Sequence, residues 1–211
     1  MPASQTTDVL QLKTSLERQL RPTPFTYFNL LKKWEHHYRD RMNSILLEAK
    51  SFSLPITPEP FEKYFSGFEF EYLPFDNSAF NDPFNGKELH GYYDHKNGKV
   101  RILYAANCPR TRQRFTQVHE LIHFYQHLDQ DFLADIEALK SPVMQHKLIE
   151  RIADKTAAYY LVPLPLLRAE AMEKPNVLSL AGVFAVSPKV IEICLKDYNL
   201  TLKEQEYEPP W

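Results

Sequence analysis

The sequence predicts an α+β fold in which a small antiparallel sheet is followed by two core helices, with further helices before and after. Three observations predict it. Residues 115–127, FTQVHELIHFYQH, carry apolar side chains at helical spacing, and residues 143–161, VMQHKLIERIADKTAAYYL, do so again. Ahead of both, FEFEYLPF and GYYDHKNGKVRILYA are short aromatic and β-branched runs. Within the second of these runs, Asn97-Gly98 signals a two-residue hairpin, since both residues tolerate positive φ.

Taken in order, residues 8–20 and 24–50 read as helices. In the second, Phe28, Leu31, Trp34, Tyr38, Met42, Ile45 and Leu46 recur at intervals of three and four, while Lys32, Lys33, Glu35, Arg39 and Asp40 form a solvated face. Prolines at 55, 58 and 60 end this helical section, and strands begin at Phe68. Val100–Ala105 is expected to be an edge strand near the helix at 115–127, able to pair with an extended peptide; the alternative is an inner strand beneath that helix. Arg110, Arg112 and Arg114 oppose the macrodipole at that helix's N-terminus, so some of them are expected to pair with carboxylates elsewhere, with substrate binding as the alternative. Two short helices flank Ala185–Ser187, where Ser187 and Pro188 make a good N-cap and N1 pair. The expected division is an N-terminal helical extension (1–55), a core (56–175) and a C-terminal helical segment packed on it (176–211).

Composition agrees with one substantial core: 211 residues, 24.8 kDa, 44% hydrophobic, and 16 Pro against 5 Gly, which favours rigid connections. No positively charged start precedes an apolar run, and no apolar stretch reaches membrane-spanning length, so a cytoplasmic location is expected. Cys108 and Cys194 lie in no CxxC or CxxH pair and read as reduced structural thiols. A net charge of −2, and a balanced Lys189, Glu192, Lys196, Asp197 set on the last helix, give no electrostatic footprint for nucleic acid.

The chemistry concentrates in His119, Glu120 and His123, an HExxH motif. Residues four apart on a helix lie one above the other, so both imidazoles can reach one metal ion, while Glu120 flanks it and can take a proton from an activated water. Two candidates compete for the third ligand. Asp129 stands ten residues after His119, as in HExxHxxGxxH, but Gln126 occupies the place where that pattern needs glycine to turn sharply. His127, eight residues on, lies roughly 12 Å from His119 and is too far. The stronger candidate is Glu150, which with Asp154 forms a carboxylate pair in an otherwise apolar helix; buried acids need compensation, and a metal supplies it. Glu150 would complete a His2Glu site, and Asp154 would accept a hydrogen bond from the distal nitrogen of a ligand histidine. The alternative is that both acids face solvent beside Lys147, Arg151 and Lys155. For an oxyanion partner Tyr92, Tyr93, His95 and Tyr104 are all near enough in the chain, and nothing in the sequence chooses among them.

The run RTRQRFTQVHELIHFYQH, followed by ERIADKTAAYYLVP from Glu150 and LAGVFAVSPKVIEICL from Leu180, resembles the ImmA/IrrE family of intracellular metallopeptidases over roughly residues 85–200. The resemblance implies a zincin-like fold, zinc held by His119, His123 and Glu150, and Glu120 as general base. It also implies hydrolysis of a peptide bond in a protein substrate, typically a helix-turn-helix repressor encoded nearby, and hence a role in transcription regulation. Two departures bear on substrate fit: Ile122 stands where the family carries glycine in HELGH, and Ile152 and Asp154 replace the middle acid and the asparagine of ExEAN. Competing functions are a metal-bearing pseudoenzyme that binds a partner without turnover, a DNA-binding regulator, and a metal-free structural domain, against which the Glu150 and Asp154 pair argues.

Overall fold

A computed structural model describes residues 24–50, 53–76, 89–174 and 176–202; the helix expected at 8–20 lies outside them. Helix α1 (Pro24–Glu48) buries the stripe Trp34, Tyr38, Met42 and Ile45. These side chains belong to the same apolar cluster as Leu121, Ile152 and Phe184. Trp34 meets Phe132 edge-on at 5.1 Å, and its indole N–H donates to Asp135 at 2.9 Å, as a buried Trp requires. A short α2 (Glu59–Tyr64) adds Phe61 to the cluster.

Strands β1 (Glu69–Phe75), β2 (Gly91–Lys96) and β3 (Lys99–Ala105) form one sheet in the order β1-β3-β2. The hairpin between β2 and β3 turns at Asn97 and Gly98, with φ of 55° and 77°, as their sequence demands. Two expectations need correction. β1 runs parallel to β3, so the sheet is mixed and not antiparallel throughout, and Val100–Ala105 is the central strand. Val100 and Ile102 are fully buried, which suits an inner position. The open edge beside the helices belongs to β2 among the described residues.

Helix α3 (Arg110–Leu128) lies on β2 and β3, with Phe124 wedged between Phe68 and Phe70 of the β1 side and His95 of β2. Asp129 ends it and caps α4 (Gln130–Ala138), accepting from Phe132 N at 3.0 Å. Helix α5 (Pro142–Leu161) starts at Ser141, whose hydroxyl accepts from Met144 N, with Pro142 in the first turn. It packs between α1 and α3, which explains its long apolar face. Helices α6 (Leu164–Glu173), α7 (Val177–Phe184) and α8 (Pro188–Asp197) follow. Among the described residues no single helix is long and apolar enough to cross a membrane.

Two cations fix α7 and α8 to the helices beneath. Arg114 of α3 donates to the carbonyls of Phe184 (3.0 Å), Ala185 (2.7 Å) and Ile56. It therefore pairs with backbone oxygens at the end of α7, not with a carboxylate, and its charge suits that helix C-terminus. Lys155 of α5 is only 8% exposed and is ion-paired with Asp197, which also accepts from the Tyr159 hydroxyl at 3.1 Å.

Candidate metal centre

Helices α3 and α5 pack closely where α3 carries His119 and His123 and α5 carries Glu150 and Asp154. His119, His123 and Glu150 each offer one atom such that all three lie within 4.8 Å of one another. The two Nε2 atoms are 2.9 Å apart, Glu150 Oε1 is 3.3 Å from His123 Nε2, and Glu150 Oε2 is 3.6 Å from His119 Nε2. The acids are not buried, as the sequence argument assumed; their side chains are 43% and 56% exposed and open onto a cleft while facing the histidines.

The other nitrogens decide what the cluster can hold. His119 Nδ1 is 3.1 Å from Asp154 Oδ1, and His123 Nδ1 is 2.8 Å from Gln126 Oε1. The Gln126 amide is oriented by its own Nε2, which donates to Ile149 O at 3.1 Å. Each Nδ1 therefore faces an oxygen and must carry the hydrogen, which leaves both Nε2 lone pairs aimed at each other and at a carboxylate. Only a cation satisfies three such donors. For Zn–N and Zn–O bonds of about 2.0–2.2 Å in a tetrahedral site, donor atoms stand roughly 3.3–3.5 Å apart. The observed spacings scatter about that value, so these residues fit a metal ion.

The same surroundings favour a proton on His119. Burial depresses the pKa of His119, but hydrogen bonds to Asp154 and Glu150, with the charge of Glu120, outweigh it and raise it to about 10. Burial raises Glu150 in turn, yet its contacts with His119 and His123 hold it well below the usual carboxylate range. A further imidazole, His146, has its Nδ1 4.0 Å from Glu150 Oε1.

Glu120 is 8% exposed, and burial lifts its pKa despite the opposing pull of His119 and His123. It lies directly against Gly91 at the start of β2. A Cβ at Gly91 would sit 2.3 Å from Thr116 Cγ2 and 2.6 Å from Glu120 Oε1, so only glycine lets the strand pass this close. Ala105 N donates to His90 O at 2.9 Å, and backbone groups alternate along an antiparallel ladder. The peptide groups of Gly91, Tyr93 and His95 therefore face the open edge of β2.

Several sequence candidates lie elsewhere. Asp129 caps a helix and lies 3.9 Å from His37 Nε2, away from the histidine pair; His127 stacks beside Tyr93 with a ring separation of 5.4 Å. Tyr92, Tyr93, His95 and Tyr104 do not line the cleft beside Glu120, whereas His90 does. Ile122 and Ile152 are fully buried core residues and leave the cleft width untouched. Sequence reasoning missed Gln126, treating it only as the residue in place of a glycine; its position three residues after His123 was the available signal. It also missed Gly91.

The cleft has a volume of about 920 Å³, and its lining includes Gly91 and Thr116 as well as Val190 and Ile193 of α8. A family model described as an IrrE N-terminal-like domain, Peptidase M78, matches residues 78–196, more than half of the chain. Comparison with curated proteins gave no match.

Proposed function

This chain belongs to the IrrE N-terminal-like family of M78 peptidases, and from that premise we propose that it is a zinc-dependent endopeptidase. The observation that carries the reading is the convergence of His119 Nε2, His123 Nε2 and a Glu150 oxygen, with both Nδ1 positions already committed to oxygens. His119, His123 and Glu150 hold the ion, and Asp154 orients His119. A bound zinc supplies Lewis acidity, polarising the scissile carbonyl and lowering the pKa of water to about 7.

The chain's own residues do the rest. Glu120, whose buried carboxyl holds a proton more readily than a solvated one, accepts the proton of the attacking water and returns it to the leaving amine. The outward peptide groups of Gly91, Tyr93 and His95 hold the substrate extended alongside β2, with the backbone at Gly91 next to Glu120. The resemblance to ImmA/IrrE proteins supports a cytoplasmic regulatory role, with a helix-turn-helix repressor as the substrate. Incubating the zinc-loaded protein with the repressor encoded beside it, and following cleavage by mass spectrometry, tests this. Wild type cleaves at one site, and Glu120→Gln binds the same zinc but does not cleave; cleavage by Glu120→Gln at the wild-type rate would falsify the mechanism.

A further inference from the structure

We infer, building on the peptidase reading, that the cleft selects a peptide segment carrying Asp or Glu side chains beside the bond to be cut. The whole chain has a net charge of −2, yet the cleft walls away from the histidines are basic. The acids that line the cleft are largely engaged: Glu150 and Asp154 face His119 and His123, Glu120 lies buried against Gly91, and Asp197 is bound to Lys155 and Tyr159. Apart from Glu150 and Asp154, whose exposed carboxylates face the histidines, the described walls present to solvent Arg112 from α3, Arg151 from α5, and Lys189 and Lys196 from α8, with Glu192 bonded to Lys189 at 3.1 Å. Among the described residues neither Arg112 nor Lys196 has an ion-pair partner, so these two carry most of the uncompensated charge.

The helix that carries Lys189 and Lys196 is anchored: Lys155 ties α8 to α5, and Arg114 ties the end of α7, just before α8, to α3. Between the basic positions Val190, Ile193 and Phe115 give the cleft an apolar lining. Basic positions around an apolar lining match a chain that alternates acidic and apolar side chains, while the peptide backbone is left to the edge of β2.

The test uses the zinc-loaded full-length Glu120→Gln protein and short fluorescein-labelled peptides that alternate Leu with Glu, Gln or Lys, read by anisotropy. The Glu peptide binds about tenfold tighter than the Gln peptide, the Lys peptide binds weakest, and the gap narrows as salt rises. Arg112→Glu combined with Lys196→Glu, both at exposed positions, inverts the order while zinc content is unchanged. Equal binding, or none, of the Glu and Gln peptides overturns the inference, as does an order that survives the double reversal, or a single-stranded oligonucleotide that displaces the Glu peptide more strongly than unlabelled Glu peptide does. Charge-ordered binding by a wild type that cuts no peptide would sink the peptidase reading and leave this one standing; cutting without charge order would do the reverse.

Discussion

The Nε2 atoms of His119 and His123 face each other at 2.9 Å, each ring having given its other nitrogen to an oxygen, of Asp154 in one case and Gln126 in the other. Two lone pairs at that distance repel unless a positive charge lies between them.

Elemental analysis should therefore find close to one zinc per chain in the wild type and a clear loss in Glu150→Ala. Asp129→Ala should keep the metal and lose stability only, by about 1 kcal/mol, because that side chain caps α4. Full zinc retention in Glu150→Ala would remove Glu150 from the site.

Gln126→Ala should weaken zinc binding by roughly 10–100-fold, the usual effect of removing the partner that orients a ligand histidine. Competition against a chromophoric chelator reads this directly, and unchanged affinity would mean that the 2.8 Å contact to His123 has no bearing on the metal.

Acidity gives a third expectation, for protein stripped of metal by a chelator. The pKa of His119 is raised from 6.5 to about 10 in the fold, so its stabilisation is complete below pH 6.5 and is lost as the pH climbs towards 10. Glu150 is shifted below 4.5, so its contribution is complete above pH 4.5 and is lost as the pH falls through its folded value. The melting temperature of stripped protein should accordingly decline from pH 6.5 to 10, whereas zinc-loaded protein should not follow it. Zinc uptake between those pH values should release a proton, measurable by calorimetry in buffers of different ionisation enthalpy. A flat melting profile in chelator would contradict the pairing.

Gly91→Ala should lower activity with zinc still bound. The new methyl group meets Thr116 Cγ2 at 2.3 Å and Glu120 Oε1 at 2.6 Å, and the carboxylate moves or the strand does. Metal content and peptide turnover measured on the same preparation separate this outcome from misfolding.

Asp197→Ala leaves Lys155 buried without its partner, which typically costs about 3–5 kcal/mol. Lys155→Met, which removes the buried charge and keeps the apolar stem, should cost less. Urea titration of the two variants ranks them, and the opposite ranking would show that Lys155 does not depend on that ion pair.

Much of this was legible in the sequence, for identifiable reasons. The approach of His119 to His123 follows from four-residue helical spacing, and the position of Asn97-Gly98 from the positive φ of a tight hairpin. Glu150 and Asp154 stand out because they interrupt an apolar face. The place of β3 was not legible, because an apolar strand reads alike in the centre and at an edge until its neighbours are known, and β1 comes to it from about thirty residues away along the chain. The burial of Lys155 was not legible, since its partner Asp197 is 42 residues distant. Trp34 and Tyr38 were readable as an apolar stripe, but not the neighbours that stripe would meet.

The bridge from Gln126 to both the His123 ring and the Ile149 carbonyl acts as a spacer of fixed length. Asparagine, one methylene shorter, could not span both ends at the present helix separation. Ile149 is the residue before Glu150, so the gap between the helices is gauged at the very step where the carboxylate projects. A metal ion would therefore meet a site whose spacing is set by the apolar core and one amide, unlike a zinc finger, whose chain has no fold until metal arrives.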